Sequence, residues 1–226
     1  MRTPPDHDSP LPAAQGLYVI TPDTLDAVEV VSVQVAKAIR GGAVMVQYRD
    51  KLHRGTELTK RIEKARGACK LAGIPFILND DPLLAKLSDA DGVHIGEHDT
   101  SIEEARRVLG KTKIIGVSCY DSLALADNAQ SMGANYVAFG SFFPSRTKPR
   151  ARRASIALLQ QAKLRLSIPI VAIGGIKPTN AMALIGAGAD MVAVVDGVFG
   201  QADPERAARS YSRLFQAHKH AERRLQ

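Results

Sequence analysis

A chain of 226 residues, 45% hydrophobic and 23% charged, can bury one sizeable core and is too apolar for a disordered solvating segment. Two cysteines, Cys69 and Cys119, exclude a disulfide scaffold, and their spacing is no metal knuckle. Thirty Lys and Arg against 23 Asp and Glu leave +7, which suits phosphates, nucleic acid or an anionic surface, so the location of the excess matters.

The opening MRTPPDHDSPLPAAQ carries four prolines and no apolar h-region, which predicts a flexible, extended tail over residues 1–15 and no secretory signal. From Gly16 onward a short apolar run alternates with a longer segment of helical spacing. The runs are LYVI (17–20), VMVQY (44–48), FILN (76–79), GVHI (92–95), IIGVS (114–118), YVAFG (136–140), IVAIG (170–174) and MVAVV (191–195). Continuous apolar runs of this length predict strands buried on both faces, as in a parallel sheet. Between them, Asp81-Pro82 reads as a helix cap followed by proline at the first helical position. Thr100-Ser101-Ile102-Glu103 reads as a capping box begun by Thr100. Gly41-Gly42, Gly73 and Gly133 stand where helices should stop.

Eight such units predict an α/β protein with a single domain over residues 16–226, a (βα)8 TIM barrel. An open doubly wound sheet would place a glycine-rich turn after the first strand, where the chain has TPDTLD. No apolar stretch approaches the roughly 20 residues of a membrane span, so no membrane partner is expected. With two unpaired thiols, the expected location is cytoplasmic.

Functional groups of a barrel gather at the C-terminal ends of its strands. Asp80 and Asp99 follow adjacent strands and suit a hard cation such as Mg²⁺. In this reading Asp81 and Thr100 cap the next helices, which leaves both carboxylates available, with Glu97 a further participant or a solvated acid. Arg49 and Lys51 suit a diphosphate, or else a surface pair with Asp50. The stretch from Arg146 to Arg153 holds Arg146, Lys148, Arg150, Arg152 and Arg153 without an acid. Gly174-Gly175, with the loop after the eighth strand, occupies the fold's usual phosphate position. Cys119 reads as a buried structural thiol, and His94 as a core-packed residue.

QYRDK (47–51), ND (79–80), GVHIGEHD (92–99), GVS (116–118), GSFFPSRTK (140–148) and IVAIGGI (170–176) occur in an order that resembles the thiamine-phosphate synthase family, over most of Gly16 to Phe215. The resemblance implies a (βα)8 barrel joining a pyrimidine diphosphate to a thiazole phosphate with release of pyrophosphate. These are two small phosphorylated heterocyclic substrates. It implies pyrimidine-diphosphate contacts at Gln47, Tyr48, Arg49, Asp50, Lys51, Asn79, Ser118 and Lys148, of which Arg49, Lys51, Ser118 and Lys148 are the catalytic members. It implies Mg²⁺ ligands at Asp80 and Asp99, and a thiazole-phosphate site at Ser145, Arg146, Thr147, Gly175, Val195 and Asp196. Glu97, Arg146 and Asp196 depart from the commoner pattern, which has glutamine, a neutral or acidic residue, and serine there. The expected chemistry is dissociative, with a pyrimidine-stabilised cation trapped by the thiazole nitrogen and no enzyme nucleophile.

Two rivals remain. A thiazole tautomerase or regulator on the same barrel would handle one phosphate, and it has no diphosphate to ionise with Arg49, Lys51, Asp80 and Asp99. Nucleic-acid binding through the basic stretch and the C-terminal arginines lacks a stacking platform, since tryptophan is absent and aromatics are 5%, so no nucleic acid is expected. The apolar positions of the last helix leave room for a homo-oligomer interface.

Overall fold

The apolar runs become parallel strands β1 (Gly16–Ile20), β2 (Ala43–Tyr48), β3 (Phe76–Asn79), β4 (Gly92–Ile95), β5 (Ile114–Tyr120), β6 (Tyr136–Phe139), β7 (Ile170–Ile173) and β8 (Met191–Val194). Helices α1 (Val28–Arg40), α2 (Gly55–Ala72), α3 (Pro82–Leu87), α4 (Ile102–Leu109), α5 (Leu123–Ser131), α6 (Ile156–Arg165) and α7 (Pro178–Gly186) alternate with them. The computed structural model describes residues 11, 15–23, 27–144 and 152–224. Each strand pairs with its sequence neighbours, and β1 also pairs with β8 (Leu17 beside Val192), which closes the barrel expected from the eight repeated units.

Closure sorts the side chains by the two-residue period of a strand. Leu17, Val19, Val46, Tyr48, Phe76, Leu78, Val93 and Ile115 face the helix layer and share its apolar cluster. Tyr18, Ile20, Met45, Ile77, Ile114, Tyr136, Val171 and Met191 fill the interior, so the centre is packed rather than open. Gly116 makes room for this filling, since a Cβ there would lie 1.9 Å from the Tyr136 ring. Leu11 belongs to the stretch expected to be a loose tail, yet it joins the interior cluster at 3% exposure.

Helix punctuation follows the sequence with two corrections. Asp81 caps α3 by accepting the Leu84 N–H, with Pro82 at the first turn, and Gly41 and Gly73 end α1 and α2. The cap of α4 is Ser101, whose hydroxyl accepts the Glu104 N–H, and not Thr100. The frame S-x-x-E fits at Ser101 as well as at Thr100, and only the Ser101 frame places the first helical residue, Ile102, into the core. The stretch after β8, a loop by its sequence, folds into short α8 (Asp196–Phe199), so the C-terminal helix is α9 (Pro204–Arg223).

Candidate active site

Alternation along β2 divides the QYRDK segment. Gln47 points inward and is 2% exposed, whereas Tyr48 packs in the cluster beneath the helices. Beyond the strand the same division holds. Arg49 turns to the β1 side of the mouth, where its Nη1 donates to Asp23 Oδ2 at 2.6 Å. Asp50 turns back, accepting the Tyr48 hydroxyl at 2.9 Å, the His53 and Leu52 N–H groups at 2.9 and 3.0 Å, and the His53 ring. Its side chain is 4% exposed. Lys51 reaches across to form an ion pair with Asp80 on the next strand end.

Asp80 follows β3 with φ of +68°, in the left-handed region that non-glycine residues adopt at a cost of roughly 1–3 kcal/mol. Its N–H is fixed on the His94 carbonyl at 2.8 Å, and its carboxylate faces Asp99 within hydrogen-bonding reach. Asp99 Oδ2 accepts the Gly96 N–H at 2.8 Å, so this residue also shapes its own loop. Partial burial and the Asp80 carboxylate push the Asp99 carboxyl above its ordinary range, against the opposing Gly96 amide and Lys51 ammonium. Among the described residues no group of three or more His, Cys, Asp or Glu side chains is arranged to hold a metal ion. Two converging carboxylates with Lys51 alongside fit Mg²⁺, which usually takes one or two protein carboxylates and fills its octahedron with water and phosphate oxygens.

Below this rim runs a polar chain inside the barrel. Gln47 Nε2 donates to the Tyr18 hydroxyl at 2.8 Å, and Tyr18 meets the Tyr136 hydroxyl at 2.8 Å. Tyr136 meets His94 Nδ1 at 2.9 Å, and His94 Nε2 meets Ser118 Oγ at 2.8 Å. One direction of donation gives both tyrosine hydroxyl protons an acceptor: Tyr18 to Tyr136, Tyr136 to Nδ1, with Nε2–H donating to Ser118. In this direction of donation His94 carries its ring proton on Nε2. Burial raises the pKa of both tyrosines, which keeps them protonated. His94, expected to be core-packed, thus stacks on the Tyr136 ring (centroids 5.6 Å apart) while bonding to Ser118, a candidate site residue. Cys119 is fully buried on the opposite face of β5, and burial pushes its thiol up to about 12.

Sequence reasoning missed Asp23, Thr21, Tyr18 and Tyr136. The tyrosines sit in apolar runs and read as packing. Asp23 follows a proline after β1 and reads as a turn; an acid one strand away from Arg49 was the available signal. Asn79 lies inward at the end of β3, opposite His94. Gly175 has φ of +64°, and a Cβ there would lie 2.4 Å from the Pro144 carbonyl, so the chain leaving β6 needs glycine at this point. Val195 and the exposed Asp196 begin α8 beside it. Ser145, Arg146, Thr147, Lys148 and Arg150 lie outside the described residues; Arg152 and Arg153 are exposed.

The family model described as Thiamine monophosphate synthase (TMP-TENI) matches residues 17–198. The thiamine-phosphate synthase of Methylococcus capsulatus is 51% identical, over 92% of this chain and 92% of the relative. That of Thiobacillus denitrificans is 48% identical, over 89% and 95%. The structure of thiamine phosphate pyrophosphorylase from Pyrococcus furiosus superposes with a TM-score of 0.82 at 31% identity, covering 94% of this chain and 98% of that one.

Proposed function

Because this chain belongs to the thiamine monophosphate synthase family and is a transferase enzyme, we propose that it joins 4-amino-2-methyl-5-(diphosphooxymethyl)pyrimidine to 4-methyl-5-(2-phosphooxyethyl)thiazole, giving thiamine phosphate and pyrophosphate. The observation that carries this reading is the meeting of Asp80 and Asp99 with Lys51 on the rim that also carries Arg49. A site for a single thiazole phosphate has no use for two carboxylates beside two cations; a diphosphate held through a divalent cation uses all four.

In this reading Asp80 and Asp99 hold Mg²⁺, which when bound supplies positive charge to the departing diphosphate oxygens. Arg49 and Lys51 hold the same oxygens from the β2 side, with Lys148 as a third cation. The bond between the pyrimidine methylene carbon and the diphosphate oxygen breaks with its electron pair going to oxygen. Stabilising that oxygen in place is worth far more than uniform binding, because the charge grows only as the bond breaks. The aminopyrimidine ring spreads the positive charge left on carbon, and the thiazole nitrogen supplies the new bond. Gln47, Asn79 and Ser118 present polar edges to the pyrimidine. Tyr48 and Asp50 contribute by holding the segment, since the Tyr48 hydroxyl donates to Asp50 and Asp50 also bonds to His53. Ser145, Arg146, Thr147, Gly175, Val195 and Asp196 hold the thiazole phosphate. Among the described residues no helix is long and apolar enough to cross a membrane, and we place the reaction in the cytoplasm.

The test is pyrophosphate release on mixing both phosphorylated heterocycles. Release that needs both substrates and stops with EDTA supports the proposal. Turnover of the thiazole phosphate alone, without pyrophosphate, would favour the tautomerase reading instead.

A further inference from the structure

The turn after β1 grips the segment that carries both rim cations. Thr21, 1% exposed, takes the Gln47 carbonyl with its N–H at 2.9 Å. Its hydroxyl accepts the Arg49 N–H at 2.9 Å and donates to the Arg49 carbonyl at 3.0 Å. Asp23 then uses both carboxylate oxygens: Oδ2 on the Arg49 guanidinium at 2.6 Å and Oδ1 on the Lys51 N–H at 2.8 Å. Arg49 and Asp23 are each about a quarter exposed at the mouth, at 26% and 27%. A planar guanidinium held at Nη1 has its rotation about the side-chain axis fixed, and its remaining edge keeps the geometry that matches two phosphate oxygens.

We propose that Asp23 is a positioning residue for this reaction: it locks the Arg49 guanidinium and the start of the Lys51 turn in the orientation that meets the leaving diphosphate. The inference rests on the reading of Arg49 given above. An acid beside a phosphate site is otherwise unfavourable, since it cancels part of the attraction for the anion. Asp23 therefore affects binding and turnover in opposite senses. Holding a bound anion needs chiefly charge, while easing bond cleavage needs the donor placed where charge develops.

The experiment compares Asp23→Asn, Arg49→Ala and the double variant by kcat, and by calorimetric binding of inorganic pyrophosphate with Mg²⁺, each protein first checked for native circular dichroism. Asp23→Asn is expected to lower kcat by roughly ten- to a hundredfold with pyrophosphate bound as tightly as by the wild type or more tightly. A merely structural lesion would weaken both. Arg49→Ala is expected to weaken pyrophosphate binding and kcat together, and adding Asp23→Asn to it should lower kcat no further. Unchanged kcat in Asp23→Asn, or an undiminished effect in the Arg49→Ala background, overturns the role of Asp23 alone. Unchanged binding and turnover in Arg49→Ala overturn the reading of Arg49 and the inference with it. Should Asp23→Asn fail the folding check, Asp23→Ser serves in its place.

Discussion

Tyr136 is where the interior hydrogen-bond chain can be cut with least change of shape. Tyr136→Phe leaves the ring stacked on His94 but removes the acceptor of Tyr18 and the donor to His94 Nδ1. Tyr18 is buried and His94 half-buried, so the variant should lose about 1–3 kcal/mol of stability, measured by urea unfolding; equal stability would mean that the chain is not closed as described. Asp196 is the opposite case. It begins α8, where a carboxylate favours the helix N-terminus, yet it also stands where we place a phosphate. Asp196→Ser should leave the KM for the thiazole phosphate equal or lower, and a large rise would contradict the electrostatic argument. Charged residue types at strand ends made Arg49, Lys51, Asp80 and Asp99 legible as candidates, and the structure places them around one rim. The same logic could not find Tyr18, His94 and Tyr136: a polar atom inside an apolar strand becomes meaningful only when closure aims several of them at one axis.

At the level of elements, the β2–α2 turn is held by a carboxylate that faces away from the mouth. Burial works to raise the Asp50 carboxyl, but the His53 amide, the Tyr48 hydroxyl and the Leu52 amide outweigh it, so its pKa lies below the ordinary 3.8. A folded value below the unfolded one contributes stability that is complete above the unfolded value and lost as pH falls through the folded one. The stability gap between wild type and Asp50→Asn should thus be full at pH 7 and shrink as pH drops below about 4; a gap independent of pH would refute the assignment. Helix α4 supplies a second check, since Ser101→Ala should cost about 0.5–2 kcal/mol while Thr100→Ala costs little. Equal costs would restore Thr100 as the cap. All eight strands were legible, because burial on both faces leaves an uninterrupted apolar run. The one-residue error at α4 and the unforeseen α8 have a common reason: competing caps and a four-residue helix differ by too little local energy to be read without the packing that selects them.

Across the whole molecule, closure of the sheet accounts for both stability and site. It packs an interior plug under the mouth and brings the ends of β1, β2, β3 and β4 together, so that Asp23, Arg49, Lys51, Asp80 and Asp99 follow one another around the rim. Leu11 extends the plug, and Leu11→Ala should lower stability by about 2 kcal/mol in thermal or urea unfolding, whereas a loose tail would leave it unchanged. The basic balance of the chain is legible in composition, but its use is not, since only the fold decides which cations share a rim with carboxylates. The central claim is that Asp80 and Asp99 jointly hold one divalent cation against the diphosphate, and its most direct measurement is a Mg²⁺ titration of pyrophosphate release in Asp80→Asn and Asp99→Asn. Each variant should keep the wild-type fold and lose most turnover, with the remainder needing far more Mg²⁺ to saturate. Wild-type rates at wild-type Mg²⁺ in either one would contradict the account.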